Sequence, residues 1–369
     1  MGLLYRTLLI IVLIVLAFAG VKYYLDHQVY NTFETMQTMK RVGTSESVYL
    51  NYDGRLLTYS KDGISAYDAK GNQLWNQTYE MQSPIVKQQG QYVIVCDYKG
   101  SIYYLMDQNG PISSVDTHMP ILSLDVSKGG VVAVSVQDNE TVFLKLFTKE
   151  GELIADTKTT MRQSGYPISF ALSPDNIKFG VSYLKAEGGK MNSTLAFYNF
   201  GGVGKNEMDN LVSGFDYQSK IFPLLIYPNE NYAISASDNL ISIFEGKQKP
   251  NKKKEIELEN EIKGFYYNES YFGVVFQDMD QEGKIRIQIY DMNGKEVLNQ
   301  VLDFQYKDIY IDADRLIVYN EARLLIISMS GIVKFDGELN GEVKAVIPID
   351  DRNEFLVVYD NDMQLIKLR

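Results

Sequence analysis

An all-β fold is what this sequence predicts beyond residue 44, on three observations. From Ser47 to Arg369, short apolar and Tyr-rich segments alternate with turn signals. No amphipathic helix of any length interrupts them. A unit made of a strand, a Gly turn and another strand recurs down the chain, its copies about 40 to 50 residues apart, which is the period of four-stranded blades. The expected architecture is therefore an eight-bladed β-propeller, with seven blades as the alternative, preceded by one N-terminal transmembrane helix. The chain divides into a short cytoplasmic tail (1–6), a transmembrane signal anchor (7–25), a juxtamembrane stalk (26–44) and the propeller (45–369).

The anchor rests on Thr7 to Val21, a run without a charge. With Gly2–Tyr5 before it and Tyr23–Leu25 after it, the run reaches the roughly 20 residues that cross a bilayer. Arg6 and Lys22 near its ends can snorkel to the interface, and Tyr23 and Tyr24 suit an interfacial aromatic belt. A cleaved signal peptide is the competing reading, since Ala17-Phe18-Ala19 is an acceptable cleavage site. No cysteine lies directly behind the run, which excludes a lipoprotein anchor. A very short leading tail places the bulk of the protein outside the cytoplasm. In the stalk, Leu25, Val29, Phe33, Met36 and Lys40 fall at helical spacing and predict a helical spacer.

The repeat is clearest at Ala66-Tyr67-Asp68…Gly71, followed by Gln73-Leu74-Trp75. Asp68 to Asn72 supply turn chemistry, and Gly71 can take a positive φ. Further copies of the third strand and its turn are Tyr103–Asp107…Gly110, Lys145–Phe147…Gly151, Ala196–Tyr198…Gly201 and Ile287–Asp291…Gly294. Ser242–Phe244…Gly246 and Ile326–Ser328…Gly331 are weaker copies. A single blade has two apolar faces and can bury neither alone, whereas radial stacking buries both. The blades are expected over 47–78, 82–116, 121–159, 167–215, 220–258, 261–302, 307–336 and 341–369. The last shows three strands, so its fourth is expected from upstream of Ser47, at roughly 38–46, which ties the two ends of the chain together. The unit over 307–336, with a short and charged first strand, decides between eight blades and seven.

Composition narrows the function. The net charge is −11, and such a surface repels phosphate backbones, so nucleic acid is not an expected partner. The chain has 27 Tyr, which suit strands with one dry and one wet face. Its one cysteine, Cys96, sits in Val93-Ile94-Val95-Cys96 and reads as a small core residue. It allows no intrachain disulfide and no cysteine-based metal site.

Asp68-Ala69-Lys70-Gly71-Asn72-Gln73-Leu74-Trp75 resembles the repeat of the PQQ-like, quinoprotein-type propellers, where a Gly turn leads to an apolar residue and Trp. Only this copy keeps the Trp; others carry Ile112, Ile154, Leu298 or Val333 at comparable places. Leu172-Ser173-Pro174-Asp175-Asn176 resembles the Ser-Pro-Asp turn of WD40- and TolB-like propellers. The layout as a whole is similar to single-pass membrane-anchored PQQ-like propeller proteins of Clostridia-type bacteria. The likeness covers about residues 45–369. It implies a propeller, and a quinone dehydrogenase as its enzyme reading. That chemistry needs a Trp, a vicinal cysteine pair and a calcium site, and this chain has one Trp and no cysteine pair.

No constellation of catalytic, cofactor-binding or metal-binding residues is read. Asp278-Met279-Asp280-Gln281-Glu282-Gly283 begins like a calcium loop, but Ile289 stands where a bidentate Glu belongs, so a polar hairpin is expected. Lys252-Lys253-Lys254 is followed by acidic residues and reads as a solvated inter-strand loop, with anionic lipid or wall polymer as an alternative contact. His118, in a turn before Pro120, has no triad spacing around it. The expected function is a non-catalytic protein-interaction scaffold in the cell envelope, without cofactor and with an envelope protein as partner. The alternatives are a sensor for a small ligand or glycan at the central channel, or an enzyme with a site on the ring face. The loops 185–193 and 201–214 are the expected contact surfaces.

Overall fold

The structure, a computed structural model, describes residues 6, 10–14, 16, 20, 23, 27–160, 164–278, 283–349 and 353–369. Eight antiparallel sheets of four strands follow one another around a ring. Seven are built from consecutive strands, the first from Val48–Tyr52, Arg55–Tyr59, Gly63–Tyr67 and Gln73–Thr78. The eighth takes three strands from the C-terminus, Val343–Pro348, Glu354–Tyr359 and Asp362–Leu368, and its outermost strand, Phe33–Lys40, from the other end of the chain. The unit over 307–336 is a complete blade of Asp308–Asp312, Arg315–Tyr319, Arg323–Ser328 and Val333–Glu338, so the ring has eight blades and not seven.

The closing strand corrects two expectations. Residues 33–40 are neither a helix nor a spacer but part of the propeller, paired from Phe33↔Leu368 to Lys40↔Asp362. The strand also lies earlier than the expected 38–46, and residues 41–47 are the connector into the first blade. Its register shifts between Thr35 and Gln37, making Met36 a bulged residue. The bulge breaks the alternation of the strand, and for that reason Phe33, Met36 and Lys40 mimic helical spacing.

The same shift between third and fourth strand occurs in every blade, at Leu74, Ile112, Ile154, Val212, Lys253, Val297, Lys334 and Met36. The turn before it takes a common form in the first, third, sixth and seventh blades. In the first blade Asp68 N–H donates to the Asn72 carbonyl at 3.0 Å, and Oδ1 of Asp68 accepts from the N–H groups of Lys70 and Asn72. Asp291 repeats this with Asn293 and Lys295, while Thr148 and Ser328 use a hydroxyl. Gly71 closes the turn at φ 78°, a conformation that a side chain strains. By this register only Leu298, of the residues likened to Trp75, stands at the Trp75 position; Ile112 and Ile154 are bulged residues, and Val333 matches Gln73.

The core lies between blades. Eight apolar clusters fill the eight blade interfaces. Trp75 belongs to one of them, edge-on to Tyr52 with centroids 6.2 Å apart, on an outermost strand. Cys96 is fully buried in another, where desolvation pushes its thiol up to about 12. Among the described residues no helix is long and apolar enough to cross a membrane; the expected anchor over 7–25 lies largely outside them.

Candidate interaction face

The topology gives the ring two unlike faces. The turns between first and second and between third and fourth strands lie on one, here the turn face. The turns between second and third strands and the blade-to-blade connectors lie on the other, the connector face.

The turn-face end of the central channel is bridged by the ring's own residues. Lys128 of the third blade pairs with Glu269 of the sixth. Asn229 Nδ2 of the fifth donates to the Glu269 carbonyl at 2.7 Å, and Asn268 Nδ2 donates to the Ala313 carbonyl of the seventh at 2.9 Å. Inside, Asp125 Oδ2 accepts from the Leu172 N–H at 2.8 Å. Desolvation pushes the Asp125 carboxyl up to about 6 against that hydrogen bond and the Lys87 charge. A carboxyl raised in the fold adds stability below its unfolded value near 4 and loses it as pH climbs through about 6. Asp125→Asn is therefore expected to flatten thermal stability across that window. At pH 7 it should gain about 1–2 kcal/mol, after allowance for solvent in the channel. Melting curves at pH 4 to 8 check this.

The connector face carries a protrusion and a cleft side by side. The strands Lys178–Glu187 and Lys190–Asn199 are ten residues each, against three to eight for the others. They project about 10 Å beyond their neighbours. The expected loop 185–193 is thus largely strand. Gly188 (φ 59°) and Gly189 (φ 74°) give the two positive φ values of a two-residue hairpin turn, and no longer loop is needed. Asn192 Oδ1 accepts from the Ser219 N–H at 2.9 Å, tying the hairpin to the connector that leads into the fifth blade. That connector is one wall of a cleft of about 560 Å³, whose floor holds Ile221, Pro223, Leu224 and Phe265 and whose rim holds Lys220, Asp238, Glu261 and Lys263. Lys220 Nζ donates to Asn239 Oδ1 at 2.8 Å and Lys263 pairs with Glu261 at 2.6 Å. Ile221 and the hairpin's Met191 stay 42% and 41% exposed. The cleft thus sets an apolar floor and an alternating charged rim beside the projecting ridge.

The other sequence candidates do not converge here. The 201–214 segment is a third-to-fourth-strand connection, so it lies on the turn face, opposite the hairpin. It holds two short 3-10 turns, Gly204–Asn206 and Met208–Asn210, before the strand Leu211–Tyr217 begins. His118 is exposed at φ 56° beside Asp116. Lys252–Lys254 is not a loop but part of the edge strand Asn251–Glu257, where charges are well placed. Lys252 pairs with Glu255, Lys253 with Glu245, and Lys254 Nζ reaches the Gly294 carbonyl of the next blade at 2.6 Å. Of the calcium-like hairpin, residues 279–282 lie outside the described ones; Asp278 is buried against Arg286 at 2.9 Å. Among the described residues no three His, Cys, Asp or Glu side chains are grouped to hold a metal.

These features define a closed eight-bladed β-propeller. Solved propellers share the fold. BamB from Moraxella catarrhalis superposes with a TM-score of 0.53 at 13% identity, over 91% of this chain and 100% of that one. Kluyveromyces lactis Hsv2 gives 0.52 at 10% identity, over 80% and 98%. A eukaryotic initiation factor gives 0.52 at 11%, over 87% and 83%. No curated protein matches the chain significantly. The chain belongs to the family of unknown function DUF5711, whose model matches residues 26–368, a span that takes in the closing strand with the ring.

Proposed function

We propose that this protein is a membrane-tethered, extracytoplasmic propeller that works as a non-catalytic protein-interaction scaffold in the cell envelope. The reading takes the uncharged run Thr7–Val21 as its anchor and the Gly-x-x-Leu-Trp turn as a mark of quinoprotein-type ancestry without quinone chemistry. The observation that carries it is the juxtaposition of the projecting hairpin and the apolar-floored cleft on one face. An envelope protein docks there, with its apolar side chains over Ile221 and Met191 and its charges against the rim.

Crosslinking in the native membrane, followed by purification of the full chain, tests this. Wild type is expected to bring down a defined envelope protein, and a chain with Met191→Glu and Ile221→Glu to lose it. Both sites are exposed, so folding is spared. Equal recovery by both chains, or no envelope protein with either, contradicts the proposal. A stoichiometric small ligand found by thermal shift would favour a channel sensor instead, with Asp125, Lys87 and Tyr267 as lining.

A further inference from the structure

The point where the chain leaves the ring sets how the ring can sit. Residues 28–32 are clipped to the seventh and eighth blades on the turn face. Lys334 Nζ donates to the Gln28 carbonyl at 3.0 Å, and the Tyr30 N–H donates to the Lys334 carbonyl at 2.8 Å. The Asn31 and Thr32 N–H groups donate to the Arg369 carbonyl at 2.9 and 3.2 Å, and the Arg369 N–H returns to Thr32 at 2.8 Å. The uncharged run ends at Val21. The stretch from there to Gln28 spans at most about 25 Å extended and about 10 Å as helix. Any bilayer held by that run is held close to the turn face at the rim of the seventh and eighth blades.

The same rim is apolar. At the start of the outermost strands, just past the third-to-fourth-strand turns, stand Val333, Met36, Leu74, Ile112 and Leu153, on the seventh, eighth, first, second and third blades; each is 37–55% exposed. Met208, on the fourth blade's turn segment, is 86% exposed. On the fifth and sixth blades the residues just before the bulge are Lys252 and Glu296, and the bulged residues are Lys253 and the partly buried Val297. Single exposed apolar side chains are ordinary, but here they recur on consecutive blades within one residue of the same bulge, Leu74, Ile112 and Met36 as the bulged residue and Val333 and Leu153 just before it.

We infer that the turn face lies against the lipid surface, with this arc at the headgroup–acyl boundary, and that the connector face with its cleft points away from the bilayer. The inference rests on the membrane-tethered reading. Lipid is the occupant the arc fits, because the arc begins beside the exit of the segment that the membrane-tethered reading places in the bilayer. The channel end that faces lipid is the one Lys128 and Glu269 bridge.

The test uses the full chain with Cys96→Ala and one new cysteine, Met208→Cys on the turn face or Met191→Cys on the hairpin. Each carries a fluorophore and is reconstituted into phosphatidylcholine vesicles containing headgroup-nitroxide lipid. A six-residue strand plus the hairpin's overhang separates the two probes by about 30 Å, beyond the reach of contact quenching. The Met208→Cys probe is expected to be quenched and the Met191→Cys probe to stay bright. Equal quenching, or quenching at Met191→Cys alone, in a chain that floats with the vesicles overturns this inference and leaves the tether standing. A chain that does not float overturns the tether, and the inference with it. A bright Met208→Cys probe together with crosslinks between ring copies would assign the arc to a second copy and overturn the lipid assignment.

Discussion

A chain that starts at residue 41 is expected to lose cooperative folding. The deletion removes the whole of Phe33–Lys40 and leaves the eighth blade with three strands. It takes Phe33 from beside Phe335, at a centroid distance of 6.4 Å, and Met39 from the cluster between the eighth and first blades. Met363, Ile366 and Leu368, all at 1% exposure or less, then meet water. Uncovering a fully buried apolar side chain costs about 1.5–3 kcal/mol. Those side chains together, with the lost ladder hydrogen bonds, approach the 5–15 kcal/mol that separates folded from unfolded protein. The truncated chain should therefore aggregate or melt broadly, whereas a chain starting at residue 27 should melt as sharply as the full protein. Circular dichroism with gel filtration reads the difference. An unchanged melting curve for the shorter chain would mean the ring does not depend on its closing strand.

The second large effect is electrostatic. Lys178 is fully buried at the start of the long hairpin and pairs with Asp175 in the Ser173-Pro174-Asp175 turn. Asp175→Asn keeps the acceptor that holds the Ile177 N–H at 3.1 Å but removes the charge that Lys178 faces. A buried charge stripped of its partner costs about 3–5 kcal/mol, while replacing both members with uncharged groups is often near neutral. Asp175→Asn is thus expected to lower stability by about that amount, and Lys178→Met added to it to restore most of the loss. Urea unfolding of the two variants beside wild type is the measurement. A double variant no better than the single one would show that the turn, and not the buried charge, carries the effect.

Local chemistry explains what could be read ahead of the structure. The turns of Asp68–Asn72 and Asp291–Lys295 are complete within five residues, so blade boundaries showed in the sequence to within a few positions. The closing strand was expected from upstream of Ser47 but placed too late, at 38–46, because its partners stand more than 320 residues away and the Met36 bulge disguises its period. Sequence could flag Gly188-Gly189 as a turn, but not that it caps a projecting ridge. The cleft was invisible for a stronger reason. Its walls come from two blade connectors and the turn at Ser237–Asn239, brought together only when the fifth blade packs between its neighbours. The two expected contact loops, 185–193 and 201–214, lie on different faces because they leave opposite ends of one strand.

A ring locked shut by residues 33–40 is tested most directly by an engineered crosslink. Thr38 and Gln364 stand opposite each other in the closing ladder, both reachable by solvent. Opposed residues in such a ladder have Cα atoms about 4.5–5.5 Å apart, within the span of a disulfide. In the full chain with Cys96→Ala, the pair Thr38→Cys and Gln364→Cys should oxidise within one molecule, giving a monomer whose gel mobility changes on reduction. Thiols that stay free, or bonds that form only between molecules, would contradict the closed ring.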